Sequence, residues 1–221
     1  MKVILFGATG MVGQGVLREC LLSSDVEVVE SVGRSATGSE HPKIREILRR
    51  DFSNFEPIAD ALTGFDACFY CLGISSSGIS NEEYERITYG YTMAAAELLA
   101  RRNPQMTFVY VSGAGTDSTE RGRSNWARVK GRTENALLRL TFKAAYMFRP
   151  GFIEPLHGIQ SKTALYRRLY TLMKPIAPIL RRAFPESILT TEQIGRAMLA
   201  VAKHGAPKPI LEAKDIRRLA Q

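Results

Sequence analysis

With 221 residues, 45% of them hydrophobic and 24% charged, the chain has the size and composition of one soluble domain with a full hydrophobic core. Its apolar runs fall far short of the roughly 20 residues a membrane span needs, so no membrane association is expected. The net charge is +8, and the basic excess lies in residues 151–221 with no nucleic-acid-binding motif, which points to small anionic molecules rather than nucleic acid.

Short β-rich runs alternate with helical periodicity, the pattern of a parallel sheet wound with helices. A first strand over Lys2–Phe6 leads into a helix with Val12, Val16 and Cys20 on one stripe and Leu17 and Leu21 beside it. The apolar run before Gly7 is too short for the roughly 7–15 residues of a secretory core, so a cytoplasmic location is expected by default. Val26–Val32 reads as the second strand, Ile44–Leu48 as a weaker third and Ala67–Leu72 as the fourth, with a short helix at Pro57–Leu62 ending at Gly64. Cys20, Cys68 and Cys71 have no His cluster to complete a metal site, and no metal is expected. Cys68 and Cys71 spell CxxC, but within a strand their odd spacing sends them to opposite faces of the sheet.

Ser80 opens a long helix, with Glu83 placed to complete a capping box and Asn103-Pro104 as its stop. Its buried face is Ile87, Tyr91, Ala94, Ala95, Leu98 and Leu99. Thr107–Val111 is the fifth strand, Asn125–Leu140 the next helix and Ala145–Phe148 the sixth strand. A last helix runs from Thr190-Thr191 to Gly205, burying Ile194, Ala197, Met198 and Val201, and Pro209–Leu211 reads as a final strand. The fold class expected is α/β: a Rossmann-type doubly wound parallel sheet, one domain over residues 1–221. Residues 151–190 are expected to form a small helical lid, including the basic amphipathic stretch 162–184 interrupted by Pro175 and Pro178. That stretch suits covering an apolar substrate or docking a second copy of the chain.

The turn Gly7-Ala8-Thr9-Gly10-Met11-Val12-Gly13 follows an apolar strand and opens an amphipathic helix, the context that gives such glycines meaning. Gly7 permits the tight turn, Gly10 lets backbone N–H groups approach a pyrophosphate, and Gly13 lets helix and strand pack closely. The helix N-terminus, with Thr9, Met11 and Val12, adds aligned N–H donors for a negative charge. Where the second strand ends, an NAD site places an acid on the ribose 2′-hydroxyl. Here the chain runs Val32-Gly33-Arg34-Ser35, and a guanidinium with a neighbouring hydroxyl suits a 2′-phosphate. NADP is therefore expected, with NAD open because Glu30 would be the NAD-type acid if the strand ended earlier. Asp51-Phe52 is placed to border the adenine, and Cys71-Leu72-Gly73 to pass beneath the dinucleotide.

These motifs, together with Val109-Tyr110-Val111-Ser112-Gly113-Ala114, Val129-Lys130-Gly131 and Arg149-Pro150-Gly151, resemble the short-chain dehydrogenase/reductase superfamily. The likeness is to its atypical and extended members, including NAD-dependent epimerase/dehydratase-like and Tat-interacting oxidoreductase-like proteins. It implies that Ser112 bonds the oxygen of a small carbonyl or alcohol substrate and that Lys130 holds the nicotinamide ribose. Arg149-Pro150-Gly151 would then lie next to the nicotinamide. The family's proton-transferring Tyr falls at Trp126, whose indole N–H does not release its proton at useful pH. Three repairs are open: another donor among Tyr84, Tyr91 and His157, Lys130 itself titrating near neutrality, or cofactor binding without ordinary turnover. Tyr170–Lys174 repeats the spacing beyond the sixth strand, in the wrong topological place.

Overall fold

The apolar run Lys2–Phe6 forms β1 at the centre of the sheet, buried on both faces from Val3 onward. A computed structural model describes residues 1–159 and 188–221; the expected lid stretch 162–184 and Tyr170–Lys174 lie outside them. β1 is flanked in parallel by β2 (Val28–Gly33) and β4 (Ala67–Tyr70). Beyond them lie β3 (Ile44–Leu48) on one side, and β5 (Thr107–Val111), β6 (Ala144–Arg149) and β9 (Ile210–Glu212) on the other. The order β3-β2-β1-β4-β5-β6-β9 is parallel throughout. The strand order reverses between β1 and β4, and in such sheets the crevice at that switch point takes the ligand.

Alternate residues divide the core. Val3 and Leu5 join Val16, Leu17 and Cys20 of α1 (Met11–Leu22) and Ile194, Met198 and Val201 of a C-terminal helix (Thr191–His204) on one face. Ile4 and Phe6 join Phe52, Phe55, Leu98 and Leu137 on the other. Cys68 faces the second set and Cys71 the first, as their spacing requires. Gly15 and Gly195 let α1 and the C-terminal helix cross at contact, since a Cβ on Gly15 would meet the Thr191 carbonyl oxygen at 2.7 Å.

Several boundaries differ from the expectation, each for a local reason. β2 starts at Val28, opposite Lys2, and Glu27 just before it donates its N–H to the Met1 carbonyl at 2.9 Å. β4 stops at Tyr70, where Cys71 still donates its N–H to the Phe6 carbonyl before the chain bends over Gly7. The expected Pro57–Leu62 helix is two 3-10 turns, Glu56–Ile58 and Asp60–Leu62. The long helix is α2 (Asn81–Glu85), a π-helical turn at Arg86–Tyr91 and α3 (Thr92–Arg102). Ser80 caps it by accepting from the Glu83 N–H at 3.1 Å.

α4 (Asn125–Leu138) follows β5, and α5 is the Thr191–His204 helix, with Thr190 and Gln193 forming a capping box. Two three-residue strands escape sequence periodicity: β7 (Phe152–Glu154) pairs in parallel with β8 (Ile188–Thr190). A terminal helix α6 (Ala213–Leu219), capped through Glu212 and Asp215, also goes unread in the sequence. No helix among the described residues is long and apolar enough to cross a membrane.

Candidate functional site

The glycine turn lies where the sheet topology opens. Gly7 leaves β1 at φ +78°, a conformation glycine adopts without strain, and a Cβ there would stand 2.7 Å from the Leu72 nitrogen. The Gly7 carbonyl accepts the Gly10 N–H at 2.9 Å, closing the turn. A Cβ on Gly13 would lie 2.0 Å from the Gly7 oxygen. Gly10 is the N-cap of α1, and no side chain caps that helix or puts an acid in its first turn. Thr9, Met11 and Val12 are half-buried around it, and the Thr9 carbonyl accepts from Gln14 at 3.2 Å. The cradle is one that any side chain would fill, and it fits a pyrophosphate. The turn and the Cys71-Leu72-Gly73 segment are thus brought into contact. Gly73 itself has open space around its Cα.

β2 ends at Gly33, which leaves Arg34 and Ser35 exposed just past the strand. Among the described residues, no side chain of the protein engages the Arg34 guanidinium. Glu30 pairs with Ile4 in mid-ladder and is 6% exposed, three residues before the strand ends; burial raises its carboxyl pKa. Asp51 is exposed, and hydrogen bonds from Ser53, at 2.6 Å from the hydroxyl and 2.8 Å from the N–H, lower its pKa. Phe52 points the other way, packing its ring against Phe55 and Tyr91 in the core.

At the far end of the crevice, β5 and β6 stay paired beyond their last residues. Ser112 donates its N–H to Phe148 at 2.7 Å and Ala114 donates to Pro150 at 2.9 Å, so Ser112 and Pro150-Gly151 line one rim. The Ser112 hydroxyl lies 2.9 Å from the Thr116 hydroxyl, which donates to the Gly113 carbonyl at 2.8 Å. With the Thr116 proton so engaged, Ser112 is the donor in that pair and keeps its lone pairs for another partner. Thr116 was not legible in the sequence, because only the loop geometry brings it back to Ser112.

Lys130 reaches from the second turn of α4 to the carbonyl oxygens of Ser112 at 3.3 Å and Val111 at 3.4 Å. Its ammonium also lies 5.3 Å from the Tyr110 ring centre. Burial pushes its pKa down from 10.5 to about 8, against the opposing effect of the Glu134 carboxylate. A Cβ on Gly131 would lie 1.8 Å from the Asp117 oxygen, so the β5–α4 loop is laid directly on the helix. Trp126, at the start of α4, is half-buried, its ring edge 3.5 Å from where a Cβ on Gly115 would stand.

The other expected proton donors each have their own surroundings. Tyr84 is 2% exposed and burial raises its phenol pKa. The Tyr91 hydroxyl accepts from Arg86 at 2.7 Å. His157 lies 2.9 Å from the Glu192 carboxylate at the start of α5. Arg149 turns inward: its guanidinium donates to Glu134 at 2.5, 3.0 and 3.2 Å and to Ser118 at 2.5 Å. Glu134 is fully buried. Its place four residues after Lys130, on the same helix face, is the signal that would have found it.

A family model described as NAD(P)H-binding matches residues 7–145. The chain is similar to Protein FMP52-2, mitochondrial, of Scheffersomyces stipitis, at 31% identity across 98% of this chain and 96% of that protein. It is 28% identical to Protein HTATIP2 of Rattus norvegicus across 69% of this chain and 62% of that one. WbmF of Bordetella bronchiseptica, solved in complex with NAD+, shares the fold with a TM-score of 0.69 at 15% identity, over 99% of this chain and 76% of that chain. The cytoplasmic expectation is corrected by these relatives: fungal proteins matching nearly the whole chain carry mitochondrial names. The length of the first apolar run bears on secretion alone and had no power to decide the compartment.

Proposed function

The chain belongs to the NAD(P)H-binding family, and from that premise we propose that it is an NADP(H)-dependent oxidoreductase acting on a small carbonyl or alcohol. The observation that carries this reading is that the glycine cradle after β1 and the Lys130 ammonium beside Ser112 after β5 both stand at the carboxyl ends of parallel strands, with β4 between them. The dinucleotide supplies or accepts the hydride when bound. The exposed Arg34 beyond β2, engaged by no described side chain, with Glu30 held in mid-strand, favours a 2′-phosphate and therefore NADP over NAD. The mitochondrial names of the relatives support a mitochondrial location.

The chain's own residues divide the work between them. The Ser112 oxygen, its proton committed to Thr116, accepts a hydrogen bond from a substrate hydroxyl and orients it. Lys130, with a pKa of about 8, exchanges the proton that the missing tyrosine would have handled. Carbonyl reduction needs the ammonium as donor, so its rate falls as pH rises through about 8, while alcohol oxidation rises over the same interval.

Trp126 favours a second reading, a protein that senses NADPH occupancy without turnover. Spectrophotometric assay of NADPH oxidation with a panel of small aldehydes and ketones separates the two. Under the first reading the native protein turns over and Lys130→Ala loses at least about 100-fold, a typical general-acid contribution. Under the second the native protein is silent and only Trp126→Tyr gains reduction.

A further inference from the structure

Parallel strands are joined by long crossovers, and in a doubly wound sheet the crossover is ordinarily a helix. Residues 34–43, which join β2 to β3, form none. They are laid beside α1 instead and tied to it. The Lys43 ammonium donates to the Leu21 and Ser23 carbonyls at 3.0 and 2.7 Å, supplying the positive charge that the last turn of α1 lacks. With no helix alongside, one flank of α1 is left open. Gln14, Leu17, Arg18 and Leu21 follow one another there at helical spacing. Leu22, at the end of the helix, is 65% exposed, more than any other large apolar side chain among the described residues. The result is a groove of about 430 Å³ between α1 and the crossover, bounded on its other side by His157 and Ile159. That volume is in the range of small-ligand pockets, roughly 300–1,000 Å³. The groove starts at Ala8, behind the glycine turn, and α1 covers roughly 16 Å from Met11 to Leu22. It therefore leads away from the crevice, toward the end of the sheet where Val29 donates to Lys43 and Ile44 to His41.

The titratable groups of the lining are all bases, Arg18, His41 and His157, and among the described residues no Asp or Glu lines it. His157 is taken up by Glu192 at 2.9 Å. Arg18 commits one terminal nitrogen to Glu19, whose carboxylate Arg196 also engages at 3.3 Å, so a second guanidinium nitrogen is available to a ligand. The His41 Nδ1 accepts the Lys43 N–H at 3.2 Å, so the neutral ring carries its proton on Nε2, as a donor. We propose that the groove binds a small amphiphilic acid, a free carboxylate on a single unbranched acyl chain. The chain lies over Leu17, Leu21 and Leu22, and Arg18 and His41 donate to the carboxylate. An apolar chain matches the leucines, and an anion matches a wall that holds bases and no acid. The proposal does not depend on the dinucleotide reading above.

The test is a titration of the dinucleotide-free protein with sodium decanoate, followed by nitrogen-15 NMR of the backbone amides. Saturable shifts are expected at Gln14, Leu21 and residues 37–41, and none around Leu48 or Leu138, the other exposed leucines. Decyltrimethylammonium, the same chain with the opposite charge, is expected to bind at least about tenfold more weakly. Arg18→Gln and Ser39→Glu are each expected to weaken decanoate by about tenfold or more, one by losing a charge-assisted hydrogen bond and the other by adding a repelling carboxylate. Arg196 keeps Glu19 paired in the first variant, and Ser39 is exposed, so both retain the fold. Equal affinity for the two amphiphiles, or native affinity for decanoate in both variants, overturns the proposal. Shifts spread evenly over all the exposed leucines do the same, since they mark unspecific adsorption. The absence of a saturable shift in the groove also overturns it, whichever other occupant takes the place. A dilution series then reads a second copy of the chain, phosphatidylglycerol vesicles read a membrane surface, and no response to either leaves residues 160–187 of the chain itself.

Discussion

Gly13→Ala is expected to abolish dinucleotide binding, with a loss of at least 100-fold in NADPH affinity, about 2.8 kcal/mol. The added Cβ would stand 2.0 Å from the Gly7 carbonyl oxygen and 2.9 Å from the Ala8 Cα, so backbone rather than a flexible side chain must give way. Gly7 has no room to yield, because any shift toward β4 drives it against the Leu72 nitrogen. The turn must open instead, carrying the Gly10 amide and the first N–H groups of α1 away from where a pyrophosphate would lie. Tryptophan-fluorescence titration with NADPH reads the loss, and circular dichroism reports whether the sheet survives. Gly90→Ala, in open space on the π-helical turn, is the control and is expected to bind as the native protein does.

The second large effect is on stability. Arg149→Met is expected to cost about 3–5 kcal/mol in urea-induced unfolding, because it leaves the fully buried Glu134 carboxylate without its partner. Substituting both residues, Arg149→Met with Glu134→Leu, is expected to recover most of that loss, since two apolar side chains of similar volume bury without an unpaired charge. A single substitution that leaves the unfolding midpoint unmoved would mean that Glu134 finds water or another donor. Ser118 and Glu212 would then be the residues to substitute next, as the remaining partners of Arg149.

The parts legible in the sequence are those whose physics is local. β1 and β5 match the expected bounds because short apolar runs between turn residues mark buried strands, and β3 matches too, although it is a half-exposed strand with Arg45 and Glu46 in its middle. The glycine turn is legible because strand, glycines and helix are consecutive. The three-residue strands β7 and β8 are too short to show a period, and they pair across 36 positions of chain, Phe152 opposite Ile188. The π-helical turn at Arg86–Tyr91 is hidden because Ile87, Tyr91, Ala94 and Leu98 keep helical spacing through it. Arg149 illustrates the limit best. Its place at the end of β6 follows from the chain, but the direction of its side chain depends on Glu134, 15 residues earlier on another element. No local pattern carries that.

The most direct measurement of the central claim is a fluorescence titration of the native protein with NADPH and, separately, with NADH. A dinucleotide held on the Gly7–Gly13 turn with Arg34 beyond β2 is expected to bind in the micromolar range, NADPH tighter than NADH by roughly tenfold or more, as a charge-assisted contact to a 2′-phosphate would give. Tighter binding of NADH would overturn the role given to Arg34 while leaving the cradle intact. Binding of neither below about millimolar, weaker than roughly 4 kcal/mol, would contradict the dinucleotide site itself.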